Sequence, residues 1–160
     1  MLNRFADMGL TIALAAPADL DQVLVLEALC FHSPWSRPAF EAEFQNHFSR
    51  FIVARTGGEE GPIAGFAIYW IVEDEGHIIN FAVRPEVRRR GIARAMLERI
   101  IEDAADAGCR IATLEVRTGN AGAIALYRGF GFIPVTIRQK YYVDNEEDAL
   151  VMMLEITHSR

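Results

Sequence analysis

The twelve residues from Val83 to Arg94, Val-Arg-Pro-Glu-Val-Arg-Arg-Arg-Gly-Ile-Ala-Arg, constrain this chain more than any other stretch. The apolar run His77 to Val83 reads as a strand, and Pro85, which lacks an N–H for a sheet ladder, ends it. From Gly91 onward Ile92, Met96, Ile100 and Ala104 recur at four-residue spacing beside Leu97 and Ile101, the pattern of an amphipathic helix. The chain must therefore pass from strand to helix through a short turn carrying Arg88, Arg89, Arg90 and Gly91. A helix start leaves backbone N–H groups without partners and carries partial positive charge, which attracts phosphate. Gly91 permits close backbone approach, and arginines add charge-assisted hydrogen bonds. This chemistry suits a pyrophosphate. No Gly-Lys-Ser/Thr follows, so it is not a Walker loop, and the Gly-x-Gly-x-x-Gly of a dinucleotide site is missing too. The plainer alternative is a solvated basic turn, since arginines usually face water.

The remaining elements mix types. Leu10 to Leu14 reads as a strand, and Pro17 opens a helix with Asp19 in its first turn and Leu20, Val23, Leu24, Leu26, Ala28 and Leu29 along it. A second helix is expected from Ser36, with Phe40 and Phe44 four apart. Strands are expected at Arg50 to Arg55 and Ile63 to Val72, with turns at Thr56 to Pro62 and Glu73 to Gly76. Gly108 caps the long helix, and Ile111 to Arg117 forms the next strand. Asn120 caps a short helix through Tyr127 that Gly131 terminates. Phe132 to Tyr142 and Ala149 to Ile156 close the chain as strands around an acidic loop, Asp144 to Asp148, read as a solvated turn. The expected fold class is α+β (α/β layered), a central sheet flanked by helices, as one domain over 10–157 after an extension at 1–9.

Of 160 residues 51% are hydrophobic, enough for one core. The net charge of −6 argues against a nucleic-acid binder and is compatible with a cationic substrate. No apolar run approaches the roughly 20 residues that span a membrane, and Met1 to Leu10 lacks the apolar stretch of a signal peptide. Cys30 and Cys109 are expected to be buried free thiols, which fits a cytoplasmic protein. His32, His47, His77 and His158 lack metal-ligand spacing, so no metal is expected.

With these residues laid out, the chain resembles the GNAT superfamily of acetyl-CoA-dependent N-acetyltransferases. Arg88-x-x-Gly91-x-Ala93 is similar to that family's pyrophosphate signature, Gln/Arg-x-x-Gly-x-Gly/Ala. Pro34-Trp35-Ser36, Asn80-Phe81-Ala82-Val83, Leu114-Glu115-Val116-Arg117, Asn120 through Leu126-Tyr127, and Tyr141-Tyr142 before Glu147-Asp148-Ala149 bring it nearer to the RimI branch, the ribosomal-protein alanine N-acetyltransferases. The resemblance runs from about Leu10 to Ile156 and implies a mostly antiparallel sheet splayed in the middle. Ala93 stands where many members carry glycine, and Phe81 where isoleucine is frequent in that branch.

Further implications follow from the resemblance. Phe81, Ala82 and Val83 would bind the acetyl-pantetheine arm as an added strand does, and Arg89, Arg90, Gly91, Ile92, Ala93 and Arg94 would surround the pyrophosphate of acetyl-CoA. Asn120 would touch the cofactor as well as cap its helix. Glu115 would be the general base that takes a proton from the amine, and Tyr127 the general acid for the leaving thiolate. Trp35, Tyr141 and Tyr142 would face the substrate, an N-terminal alanine peptide of a ribosomal protein, and the enzyme is expected to be a monomer or weak homodimer. Each has a structural alternative: Glu115 as an edge residue facing water, Tyr127, Trp35 and the tyrosine pair as packing. Lysine or small-amine acetylation, or acetyl-CoA binding without catalysis, remain as other functions of the same scaffold.

Overall fold

The structure, a computed structural model, describes residues 8–157. The expected extension at 1–9 therefore falls largely outside the described residues. Seven strands, β1 (Thr11–Leu14), β2 (Ser49–Arg55), β3 (Ile63–Val72), β4 (Glu75–Val83), β5 (Ile111–Arg117), β6 (Ile133–Arg138) and β7 (Ala149–Glu155), follow the sheet order β1-β2-β3-β4-β5-β7-β6. Four α-helices are described, α1 (Leu20–Cys30), α2 (Arg37–Gln45), α3 (Ile92–Asp106) and α4 (Ala121–Gly129). Pairing is antiparallel between β1 and β2, β5 and β7, and β6 and β7, and parallel between β4 and β5. The chain divides into two compact units, one from Met1–Tyr69 and Asn80–Arg99, the other from Trp70–Ile79 and Ile100–Arg160.

In the first unit, β3 is buried from Ile63 to Tyr69, as a strand covered on both faces requires. Phe40 of α2 lies 5.7 Å edge-on to Phe66 and 6.0 Å from Phe51, and Phe44 stacks on Phe51 at 5.2 Å. Ser36 caps α2 by accepting the Ala39 N–H, as expected. Before α1, Pro17–Asp19 forms a single 3₁₀ turn instead of α-helix. The Asp19 carboxylate explains this: it accepts the Ala16 N–H at 2.8 Å and pairs with Arg55, anchoring the entry to β2. Gly65 is required by contact, since a Cβ there would lie 2.9 Å from the Ala82 carbonyl oxygen and 2.9 Å from Met96 Sδ.

In the second unit the helix α3 ends as expected, with Gly108 at φ +84°, its N–H bonded to the Ala105 carbonyl and the Cys109 N–H to that of Ala104. The β4–β5 ladder pairs Glu75 with Ile111 through Ile78 with Leu114 and stops there. Beyond Leu114, β5 keeps its ladder with β7 as far as Arg117.

Two strand limits differ from expectation by more than one residue, and one cysteine differs in burial. β4 begins at Glu75, two residues early, because Glu73 takes a left-handed φ of 54° and completes the hairpin turn sooner. β6 stops at Arg138 instead of Tyr142: Lys140 is left-handed at φ 51°, and its N–H bonds the Asp148 carboxylate in place of a ladder partner. Cys109 is buried, but Cys30, at the end of α1, is only half-buried. Replacing Gly65 with valine is expected to destabilise the protein by about 1–3 kcal/mol through overpacking against backbone, read as a lowered urea midpoint.

Candidate active site

The turn before α3 is built within the first unit. A 3₁₀ turn, Pro85–Val87, follows β4, and the helix begins when the Gly91 carbonyl accepts the Ala95 N–H. Arg89 has φ 63° and Gly91 φ 86°. Glycine adopts this region freely, but for an L-residue such as Arg89 it costs about 1–2 kcal/mol. Strain of this kind persists where surrounding structure imposes it, frequently at ligand sites. Arg88 supplies part of that structure: its Nε donates to the Val83 carbonyl at 3.1 Å and its Nη2 reaches Cys30 Sγ at 3.4 Å. Arg88 therefore fastens the turn to the end of β4 while remaining exposed itself, as are Arg89, Arg90 and Arg94.

The residues fit a bound anion on electrostatic grounds. A helix start normally attracts Asp or Glu, yet the first turn of α3 has no acidic residue and sits among arginines. A pyrophosphate would compensate both the arginines and the helix dipole. Phe81 is half-buried and Ala82 and Val83 are buried at the end of β4. The Val83 carbonyl accepts from Arg88 Nε and lies 3.6 Å from Cys30 Sγ.

Trp35 belongs to the same unit, in the loop between α1 and α2. Its ring lies 5.2 Å from Phe40, and its N–H donates to Glu27 Oε1 at 3.2 Å. The other Glu27 oxygen accepts from Asn80 Nδ2 at 3.0 Å. Burial pushes the Glu27 carboxyl above its ordinary range, the two N–H donors opposing it. A buried carboxylate thus ties the Trp35 loop to β4.

The second unit holds Glu115, Tyr127, Asn120 and the tyrosine pair. Glu115 sits on β5 with its side chain only 14% exposed, so it is not a strand residue simply facing water. Its Oε2 lies 2.6 Å from His77 Nε2 on β4, and Oε1 faces Arg138 Nε on β6 at 3.9 Å. The hydrogen bond from His77, with burial opposing it and Arg138 assisting, holds the Glu115 carboxyl below its usual range. This carboxylate is an anion at neutral pH. Tyr127 is buried on α4, its ring 5.7 Å edge-on to Phe132, and burial pushes its hydroxyl well above the ordinary tyrosine value. Asn120 accepts the Ala123 N–H at 3.2 Å as the α4 cap and remains exposed.

The acidic loop is solvated as expected, with Asp144, Asn145 and Glu146 exposed, and it is also organised as a latch. Arg117 donates to Asp144, to Asn145 at 3.0 Å and to Glu147 at 3.4 Å, and Glu147 also accepts the Gly119 N–H at 2.9 Å. The Arg117 guanidinium lies 3.9 Å from the Tyr142 ring centroid, and Tyr141 meets Tyr142 edge-on at 5.0 Å. Burial pushes the Tyr142 hydroxyl up to about 12. Tyr141 is 45% exposed, which leaves a face for contact.

His77, Arg138 and Glu27 are the residues that sequence reasoning missed, and for Arg88 and Arg117, named there only as parts of motifs, it missed the partners. Each acts through a partner distant in the chain, and only strand register or loop closure supplies that information. Among the described residues no cluster of His, Cys, Asp and Glu could hold a metal ion, and no helix is long and apolar enough to cross a membrane.

A strand feeding an arginine-rich helix start and a half-buried, ionised glutamate on the next strand are features of one enzyme class. The chain belongs to the acetyltransferase (GNAT) family, whose profile matches residues 20–132, and it is an N-acetyltransferase that uses acetyl-CoA. It is 37% identical over 149 residues to the ribosomal protein bS18-alanine N-acetyltransferase of Escherichia coli K12, covering 92% of this chain and 98% of that protein. It is 36% identical over 147 residues to the N-alpha-acetyltransferase RimI of Mycobacterium tuberculosis, covering 89% of this chain and 90% of the relative. The crystal structure of the Escherichia coli ribosomal-protein-S18-alanine enzyme superposes with a TM-score of 0.83 at 36% identity, over 94% of this chain and 96% of the other. Ard1 of Thermoplasma volcanium shares the fold, with a TM-score of 0.86 at 22% identity.

The latch carries a pH dependence. The hydrogen bond from Arg117 lowers Asp144, and that from the Gly119 N–H lowers Glu147. Their grip is complete above the ordinary carboxylate range near about pH 4 and is lost as pH falls through the lowered values. Replacing Arg117 with methionine is expected to release the loop at neutral pH. Amides of residues 139–148 would then exchange with solvent about tenfold faster or more, and the near-ultraviolet dichroism of the tyrosine pair would weaken.

Proposed function

We propose that this enzyme transfers acetyl from acetyl-CoA to the N-terminal α-amine of a ribosomal protein beginning with alanine, bS18 being the substrate named for its relative. The observation that carries the reading is the Glu115 carboxylate, half-buried and held as an anion by His77 and Arg138. A depressed carboxylate is a modest base, so it suits the amine that gives up its proton more readily. An α-amine titrates near about 8 and a lysine near about 10.4, a gap worth about 3 kcal/mol in the proton-transfer step. Likeness to the bS18-alanine enzyme over nearly both full lengths supports the same acceptor.

In this mechanism the backbone at Phe81, Ala82 and Val83 holds the pantetheine arm. Arg89, Arg90, Gly91, Ile92, Ala93 and Arg94 hold the pyrophosphate, and Asn120 lies beside the cofactor. The cofactor supplies an activated thioester. Glu115 removes a proton from the ammonium, freeing the nitrogen lone pair for attack, and amine and thioester react directly in a ternary complex. Tyr127, protonated at any physiological pH because burial raises it, donates to the departing sulfur. Trp35, Tyr141 and Tyr142 contact the peptide. The reaction takes place in the cytoplasm, where ribosomal proteins meet acetyl-CoA.

An Ala-starting bS18 peptide and an N-blocked, lysine-containing version, each given to the enzyme with acetyl-CoA, discriminate between acceptors. Turnover is expected on the free α-amine; turnover confined to the blocked peptide would overturn the assignment. Glu115→Gln and Tyr127→Phe are each expected to lower kcat by about a hundredfold or more, with acetyl-CoA affinity by calorimetry nearly unchanged. A large loss of affinity instead would remove them from the chemical step.

A further inference from the structure

The ladder between β4 and β5 places His77 opposite Thr113, so Glu115, two residues on, lies on the same face of β5 as Thr113. The pairing ends one step later, at Ile78 and Leu114, and His77 Nε2 meets Glu115 Oε2 at 2.6 Å. An ionised carboxylate only accepts hydrogen bonds, so the hydrogen of this contact belongs to Nε2. The groups facing Glu115 are His77 from β4, Arg138 from β6 and Tyr142 from the following loop, with its own backbone N–H adding to them. His77 in turn packs edge-on to Trp70 of β3 at 6.5 Å.

We propose that His77 is a positioning residue for the acetyl-transfer reaction: its Nε2–H fixes Oε2 of Glu115 and leaves Oε1 as the oxygen that takes the proton from the substrate ammonium. The inference rests on the reading of Glu115 as the base. Glu115 lies beyond the end of the β4 ladder, its backbone held by β7 alone, and its carboxylate can rotate about its side-chain torsions, whereas a base must sit within hydrogen-bond reach of the proton it removes. The arrangement has the logic of a base oriented by a third group, here a histidine holding a glutamate. Arg138 cannot substitute, since its Nε lies at 3.9 Å and its side chain is 57% exposed. His77 keeps its own proton throughout, and the ammonium proton resides on Oε1 until solvent removes it.

Two substitutions separate the donor from the ring. His77→Phe keeps an aromatic ring against Trp70 but has no donor; His77→Gln keeps a donor but has no ring. His77→Phe is expected to lower kcat by about tenfold to a hundredfold, with KM for acetyl-CoA unchanged, and to move the acid limb of the kcat–pH profile upward. That direction follows because the His77 hydrogen bond is the largest influence lowering Glu115. His77→Gln is expected to keep the acid limb in place and recover most of kcat. The inference is overturned if His77→Phe leaves kcat and the limb unchanged, or if His77→Gln is the more damaged of the two, the outcome of a packing role against Trp70. Glu115→Gln in the same assay guards the premise. Full turnover there would remove the base itself, whereas a dead Glu115→Gln beside a normal His77→Phe would remove only the role given to His77.

Discussion

The short parallel ladder between β4 and β5 is the constraint on which the proposed chemistry depends. Four residue pairs, Glu75 with Ile111 through Ile78 with Leu114, set which β4 side chain shares a face with Glu115. Side chains alternate along a strand, so a slip of one residue would turn His77 away from the carboxylate. With the observed register the carboxylate gains a donor at 2.6 Å, which offsets the cost of half-burying its charge. Glu115 can therefore be both sheltered from water and ionised, a combination that neither burial nor exposure alone provides.

The turn before α3 poses the opposite electrostatic problem. Arginines gather at the positive end of a helix with no acidic residue in its first turn, and Arg89 is held in a left-handed conformation. In the absence of an anion both features are unfavourable. Arg88, exposed like its neighbours, commits its guanidinium to the Val83 carbonyl and Cys30, a structural role for the first residue of the signature. The division of labour among neighbouring arginines is thus uneven: Arg88 braces the backbone, and Arg89, Arg90 and Arg94 are the ones proposed to hold the pyrophosphate.

Loops in both units are tied down by charged side chains. Glu27 links the Trp35 loop to Asn80, and Arg117 gathers Asp144, Asn145, Glu147 and Tyr142. These networks hold the aromatic residues assigned to peptide contact in defined places. Ordered aromatic anchors lose little conformational freedom on binding, which favours selective recognition of a short terminus.

Most elements were legible because local rules decide them. Four-residue apolar spacing with Gly108 marks α3, Ser36 and Asn120 mark helix starts, and β3 and β5 have the expected limits. The arginine–glycine turn is likewise a run of adjacent residues, and the roles proposed for Glu115, Tyr127 and Asn120 come from the family resemblance of their local motifs. Long-range contact decided the rest. The end of β6 depends on Asp148 capturing the Lys140 N–H, and the order of the acidic loop depends on Arg117, 27 residues before Asp144. The pairing of His77 with Glu115 spans 38 residues. Nothing in either segment's own pattern encodes such partners. They meet only when strands align, and it is the folded sheet that converts an unremarkable histidine into the closest partner of the glutamate.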